Sequence, residues 1–144
     1  MTATIHASAV LVGPKAVLIR GPEGSGKSQL AWLLLQSTLP FTRLVADDRA
    51  HIEARSGRLL VRPAEQLAGL IEIRGLGIRR LPYEPVAVAS FVIDLGATNA
   101  DRLPAQKAAQ ATLEGVTLPR LAVASGVASL PLVLAFLKEL PAAD

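Results

Sequence analysis

Between residues 21 and 28 the chain reads Gly-Pro-Glu-Gly-Ser-Gly-Lys-Ser, which meets every fixed position of the pattern G-x-x-x-x-G-K-[ST]. Those residues suit one task, gripping a chain of phosphates. The glycines let the backbone approach closely where a β-carbon would block it. The loop Gly21, Pro22, Glu23, Gly24, Ser25, Gly26, Lys27 and Ser28 can then turn main-chain N–H groups inward at the start of a helix, as an anion cradle. Lys27 would bring charge to the β- and γ-phosphates of a nucleoside triphosphate, and the Ser28 hydroxyl would ligate Mg²⁺. A flexible glycine loop with a chance lysine is the alternative. The flanking sequence argues against it, because an apolar run, Ala16 to Ile19, precedes the loop and a helix former, Lys27 to Gln36, follows.

Two further groups of residues can act on phosphates held there. Leu44-Val45-Ala46-Asp47-Asp48 reads as an apolar strand ending in two carboxylates, and ligands of α/β sheets bind at the carboxyl ends of strands. One Asp can hold a hydrated Mg²⁺, while the other can take the proton of an acceptor hydroxyl or orient water. Successive strand residues point to opposite faces, so both reach the phosphates only if the chain turns beyond the strand end. Capping of the following segment is the structural alternative for either residue. In Ile71-Glu72-Ile73-Arg74-Gly75-Leu76-Gly77-Ile78, Glu72 and Arg74 share one face of a strand. Glu72 can be a metal ligand and Arg74 a bidentate phosphate ligand. An ion pair between them on an exposed sheet explains the spacing equally well.

These side chains need a sheet edge on which to converge. Ser8 to Val12 and Ala16 to Ile19 read as a hairpin turned at Gly13-Pro14-Lys15. Arg43 to Ala46, Leu70 to Arg74, Val86 to Leu95 and Leu118 to Ala124 read as further strands, as do His51 to Glu53 and Leu59 to Arg62, joined by a turn at Ser56-Gly57. Lys27 to Gln36, Ala105 to Leu113 and Leu130 to Leu140 read as helices, and Pro63 to Gly69 as a short helical turn. Strands alternating with helices, with some hairpin content, predict an α/β fold: a mixed central sheet with flanking helices. The 144 residues suit a single domain, 1–144.

Composition narrows the function classes. At 51% hydrophobic and 19% charged the chain can bury a core, which argues against disorder. The absence of cysteine excludes disulfides, thiolate metal sites and a cysteine nucleophile. No apolar run reaches the roughly 18 residues of a membrane span, and the N-terminus lacks a basic segment followed by an apolar one. No signal peptide and a cytoplasmic location are therefore expected. A net charge of +3, with Arg74, Arg79 and Arg80 close together, suits phosphates or an acidic partner. No zinc-finger spacing or aromatic RNA-binding signature points to nucleic acid. A mean hydropathy of +0.40 suggests apolar surface buried between subunits.

Taken in order, GPEGSGKS, LVADD and IEIRGLGI resemble the catalytic domain of the HPr kinase/phosphorylase family, in which a Walker A loop precedes an Asp-Asp strand and the signature E-I-R-G-L-G-I. The resemblance runs from about Thr4 to Leu137 and weakens after Ile78. It implies a P-loop-containing kinase domain that uses ATP and Mg²⁺ to phosphorylate a serine of HPr, the phosphocarrier protein of the sugar phosphotransferase system. It implies that Lys27 and the loop bind phosphates, that Ser28 and Glu72 bind Mg²⁺ with Asp47 beside the metal, and that Asp48 exchanges the serine proton. Arg74 belongs to the signature loop, His6 matches a family histidine ahead of the first strands, and Arg102 matches an arginine on a mobile loop. The family's hexameric habit implies a homo-oligomer.

The departures are specific. The chain starts directly at the kinase domain, as expected of a short form without the N-terminal domain of longer members. Gln29 stands where the family often has Glu, and Ala122 to Pro131 lacks the usual basic, glycine-containing stretch that favours phosphorolysis. Kinase activity is therefore the expectation rather than the reverse reaction. A P-loop phosphotransferase or NTPase with another acceptor, and a module that senses ATP without turnover, are the rival readings.

Overall fold

The computed structural model describes residues 2–101 and 106–139. Its strands are β1 Thr2–Ile5, β2 Ala7–Val12, β3 Lys15–Arg20, β4 Thr42–Ala46, β5 Ala50–Arg55, β6 Arg58–Pro63, β7 Leu70–Ile73, β8 Gly77–Arg80, β9 Ala87–Leu95, β10 Gln110–Leu113 and β11 Val116–Val123. Helix α1 spans Lys27–Leu35 and α2 spans Ser129–Glu139, with 3-10 turns at Glu65–Leu67 and Gln106–Ala109. Nine strands form one mixed sheet, whose main path runs β1-β5-β6-β9-β3-β2-β4, with β11 and β10 branching from β9. β3 and β11 pair parallel with β9, while the other pairs are antiparallel. The fold is thus the expected α/β arrangement around a mixed sheet.

Sequence explains the central position of β2, β3 and β9. Ala-Ser-Ala-Val-Leu-Val, Ala-Val-Leu-Ile and Phe-Val-Ile are unbroken runs of small, branched or aromatic residues, as strands covered on both faces require. Their side chains divide between two cores. One face packs against the helices, through Val10, Val17, Ile19, Phe91 and Ile93 with Leu30, Ala31 and Leu34 of α1 and Val133 of α2. The other face meets the curled remainder of the sheet, through Ala9, Leu18 and Val92 with Ile52, Leu59, Val61, Ala111 and Leu113. Both helices therefore lie against one face, and strands close the other. α1 suits this seat because Leu30, Ala31 and Leu34 sink fully into the core. α2 is held by Phe136, whose ring meets that of Phe91 edge to face, centroids 4.7 Å apart.

Strands β1 and β8 were not expected from the sequence, and one expected element is of another type. The helix expected over Ala105 to Leu113 is absent among the described residues: Gln106–Ala109 is a 3-10 turn and Gln110–Leu113 is strand β10. The alanines favour a helix locally, but Glu114 and Gly115 take φ of +50° and +81°. Positive φ at both central residues makes a tight hairpin turn, and it pairs Leu113 with Val116 and Gln110 with Pro119. Turn chemistry and burial of Ala111 and Leu113 outweigh helix propensity.

Phe91 is fully buried and joins β9 to α2. Phe91→Ala should lower the unfolding free energy by about 3–5 kcal/mol, read by urea denaturation followed by circular dichroism. A loss below about 1 kcal/mol would show that the β9–α2 contact does not hold the helical layer.

Candidate functional site

Strand β3 ends at Arg20, the loop follows, and α1 starts at Lys27. Close packing fixes the first glycine: a β-carbon on Gly21 would lie 2.4 Å from Ser25 Oγ and 3.0 Å from the Leu95 carbonyl oxygen. Gly21, Pro22 and Ser25 form the back of the loop, where the Ser25 N–H donates to Pro22 O at 3.0 Å. Gly26 caps α1 and supplies no side-chain bond to the first turn. The leading N–H groups of α1 thus lack an internal partner, which is the donor set an anion uses. Lys27 Nζ lies across the loop, donating to Gly21 O at 3.0 Å and Pro22 O at 3.3 Å.

Parallel orientation brings the acids to the same edge. β4 is antiparallel to β2, and β2 is antiparallel to β3, so β4 runs with β3 and both end at the loop. Asp47 follows β4 and is 6% exposed. Its Oδ1 accepts from Ser28 Oγ and from Ser8 Oγ, each at 2.7 Å, and its Oδ2 accepts from the Glu72 N–H at 3.1 Å. Asp48 has φ of +67°, and the Arg49 N–H closes a one-residue turn onto Asp47 O at 2.8 Å. That turn sends the exposed Asp48 toward the same side as Asp47 instead of the opposite face.

The opposite wall is the two-stranded β7–β8 sheet. Ile71 and Ile73 are buried while Glu72 is exposed, as strand alternation predicts. Among the described residues no ion pair joins Glu72 to Arg74. A cleft of ≈ 630 Å³ is lined by Glu23, Gly24, Gly26, Lys27, Ser28, Asp47, Asp48, Glu72 and Arg74, with Leu70, Ile71 and Ile78 on its apolar side. His6 is exposed in the bend between β1 and β2 and does not line the cleft. It adjoins the cleft through Ala7, whose N–H donates to Asp48 O at 3.1 Å. Arg102 lies outside the described residues.

The donor set fits Mg²⁺ and a polyphosphate. Among the described residues no three His, Cys, Asp or Glu side chains close a metal cage. Two or three carboxylates beside a hydroxyl on an open cleft suit an ion that keeps waters and takes phosphate oxygens. The Ser28 hydroxyl spends its proton on Asp47, leaving its lone pairs for a cation.

Four residues escaped the sequence reading. Ser8 interrupts the apolar run of β2, and that interruption was its signal. Arg20, Asp94 and Arg120 form a network behind the loop. Arg20 is bidentate to Asp94, Nε to Oδ1 and Nη2 to Oδ2 at 2.7 Å each, and Arg120 Nε donates to Oδ2. Arg120 also donates to Ala108 O at 2.7 Å and Asn99 Oδ1 at 2.9 Å. Burial is the largest influence on Asp94 and pushes its pKa up, but the hydrogen bonds and charges of Arg20 and Arg120 together outweigh it and hold the carboxyl below its ordinary value. Apolar runs that close on a charged residue, VLIR and VID, were the available signal.

Fold and site define an α/β domain with a glycine-rich strand–loop–helix turn facing paired acids. Residues 1–82 match the family model described as HPr Serine kinase C-terminal domain, and the chain belongs to that family. It is 43% identical to an HPr kinase/phosphorylase of Streptococcus thermophilus over 76 residues, which are 52% of this chain and 24% of that protein. It is 38% identical over 77 residues to one of Mycoplasma mycoides, covering 54% of this chain and 24% of that protein. The match thus spans about a quarter of each relative's length. The solved structure of the Hpr(Ser) kinase/phosphatase from Coxiella burnetii superposes with a TM-score of 0.74 at 22% identity, over 94% of this chain and 93% of that one, and shares the fold. No helix of the described residues is long and apolar enough to cross a membrane.

A lowered folded-state pKa means that the Asp94 network stabilises the protein above the unfolded value near 3.8 and that this stability is lost as pH falls through the lower folded value. Asp94→Asn should therefore be less stable by about 3 kcal/mol at neutral pH. The gap to the unsubstituted protein should begin to narrow below about pH 4 and close as pH passes the lower folded value. Urea titrations across pH check this; a gap independent of pH would refute the charge-based account.

Proposed function

We propose that this chain transfers the γ-phosphoryl group of ATP, with Mg²⁺, to a serine hydroxyl of the phosphocarrier protein HPr. One observation carries the reading: Ser28 of the phosphate loop and the buried Asp47 are bonded at 2.7 Å, and Asp48 turns into the cleft beside them. Family membership and the HPr named in the relatives supply the acceptor.

In this reading the loop N–H groups and Lys27 hold the β- and γ-phosphates, and Lys27 exchanges its two carbonyl partners for phosphate oxygens. Ser28, Asp47 and Glu72 would hold Mg²⁺, which supplies charge neutralisation at the phosphates when bound. Asp48 accepts the proton of the acceptor serine as its oxygen forms a bond to the γ-phosphorus, and the bond from that phosphorus to the β–γ bridging oxygen breaks, releasing ADP. Arg74 and Arg102 neutralise charge on the transferred group, and His6 stands at the acceptor side. The chain acts as a homo-oligomer, for which exposed Leu76, Ile78, Val127 and Leu132 offer apolar contact surface.

Purified chain with labelled ATP, Mg²⁺ and HPr should yield a phosphoserine stable to acid. Asp48→Asn should retain nucleotide binding while transfer falls by about 10²- to 10⁴-fold. Phosphate released to water with unlabelled HPr would replace this reading with an NTPase, and binding without turnover would replace it with a sensor. Light scattering should show an assembly larger than the 15.1 kDa chain; a monomer at micromolar concentration would remove the oligomer.

A further inference from the structure

Among the described residues, two polar residues are buried as a whole, Ser8 at 0% exposure and Asp47 at 6%, and they are bonded to each other. Ser8 stands in β2 between Ala7 and Ala9, both fully buried, where an apolar residue would fill the space without a desolvation penalty. A hydroxyl there is explained by what it bonds. Its single proton goes to Asp47 Oδ1 at 2.7 Å, and its lone pair accepts the Asp48 N–H at 3.3 Å.

We propose that Ser8 is a positioning residue that sets the rotation of the Asp47 carboxylate and clamps the turn delivering Asp48 to the cleft. This rests on the phosphotransfer reading for its functional meaning. Among the described residues, Ser8 and Ser28 both donate to Oδ1, whereas Oδ2 accepts only the Glu72 N–H. A carboxylate oxygen has about two acceptor sites, so Oδ1 is filled and Oδ2 keeps a site for a metal-bound water or the metal. The clamp on Asp48 is two-sided: Ser8 Oγ takes its N–H, and the Ala7 N–H donates to its carbonyl. The first two residues of β2 thereby hold Asp48 at φ +67°, a conformation unfavourable for a residue with a β-carbon.

Three variants separate hydroxyl chemistry from packing. Ser8→Ala removes the group, Ser8→Cys keeps nearly the same volume with a weak donor, and Ser8→Thr keeps the hydroxyl. ATP binding is measured by calorimetry at increasing Mg²⁺, turnover with HPr in parallel, and folding by thermal melt. Ser8→Ala and Ser8→Cys should each raise the Mg²⁺ needed for half-maximal ATP binding about tenfold. They should lower kcat while leaving KM for HPr unchanged, and Ser8→Thr should restore most of both losses. If Ser8→Ala does not fold, Ser8→Cys against Ser8→Thr decides. Unsubstituted protein that binds ATP with the Mg²⁺ dependence unaltered in Ser8→Cys would overturn the role of Ser8 alone. Unsubstituted protein that binds no ATP with Mg²⁺ would overturn the phosphotransfer reading, and this role with it.

Discussion

The buried carboxylate of Asp47 is the polar point on which four elements converge, elements that sheet pairing and a shared apolar core already bring together. Ser8 of β2, Ser28 of α1 and the backbone of Glu72 in β7 all donate to it, across sequence separations of 39, 19 and 25 residues. A carboxylate so withdrawn from water is tolerated only when its oxygens are satisfied. That requirement adds a polar constraint to the apolar packing that seats α1, β2 and β7 against one another. The cleft lies between these elements, and Asp47 stands on its wall where the three donors meet.

A comparison within the molecule shows how environment assigns roles to similar residues. Asp47 directly follows β4 and Asp94 is the penultimate residue of β9, at the same end of the sheet, on either side of β2 and β3. Asp94 meets two guanidinium groups, and its charge is consumed in holding β3, β9 and β11 together behind the loop. Among the described residues Asp47 meets only neutral donors, two hydroxyls and an amide. No cation has been spent on it, so its charge remains available to a cation entering the cleft. The network around Asp94 then serves as the rigid back wall against which the loop is braced, through Arg20 directly before Gly21.

Much of this arrangement was legible in the chain because the signals are local. The loop, the apolar runs of β2, β3 and β9, the Ser56-Gly57 turn and the alternation of Ile71-Glu72-Ile73-Arg74 depend on neighbours a few residues away. The membership of Asp47, Asp48 and Glu72 in one cleft was readable from strand ends and the resemblance together. What escaped depends on distant partners. Ser8 is ordinary until β4 lies beside β2, and Asp94 is ordinary until Arg20 and Arg120 arrive from flanking strands. β10 was misread because alanines speak for a helix over the same residues that the Glu114-Gly115 turn folds back as a strand.

The hairpin β7–β8 differs in its attachment from every other wall of the cleft. It forms its own two-stranded sheet, anchored below by Ile71 and Ile73, while β8 is exposed along its whole length. Its polar link to the phosphate side is the bond from the Glu72 N–H to Asp47. A segment with few buried contacts and exposed backbone opens at lower free energy than the sheet beneath it. The loop and the acids are therefore set by the rigid sheet edge, and the wall carrying Glu72, Arg74 and Ile78 is the part of the cleft best able to adjust. Because that wall reports to Asp47 through a single amide, its movement acts on the same carboxylate that Ser8 and Ser28 hold from the other side.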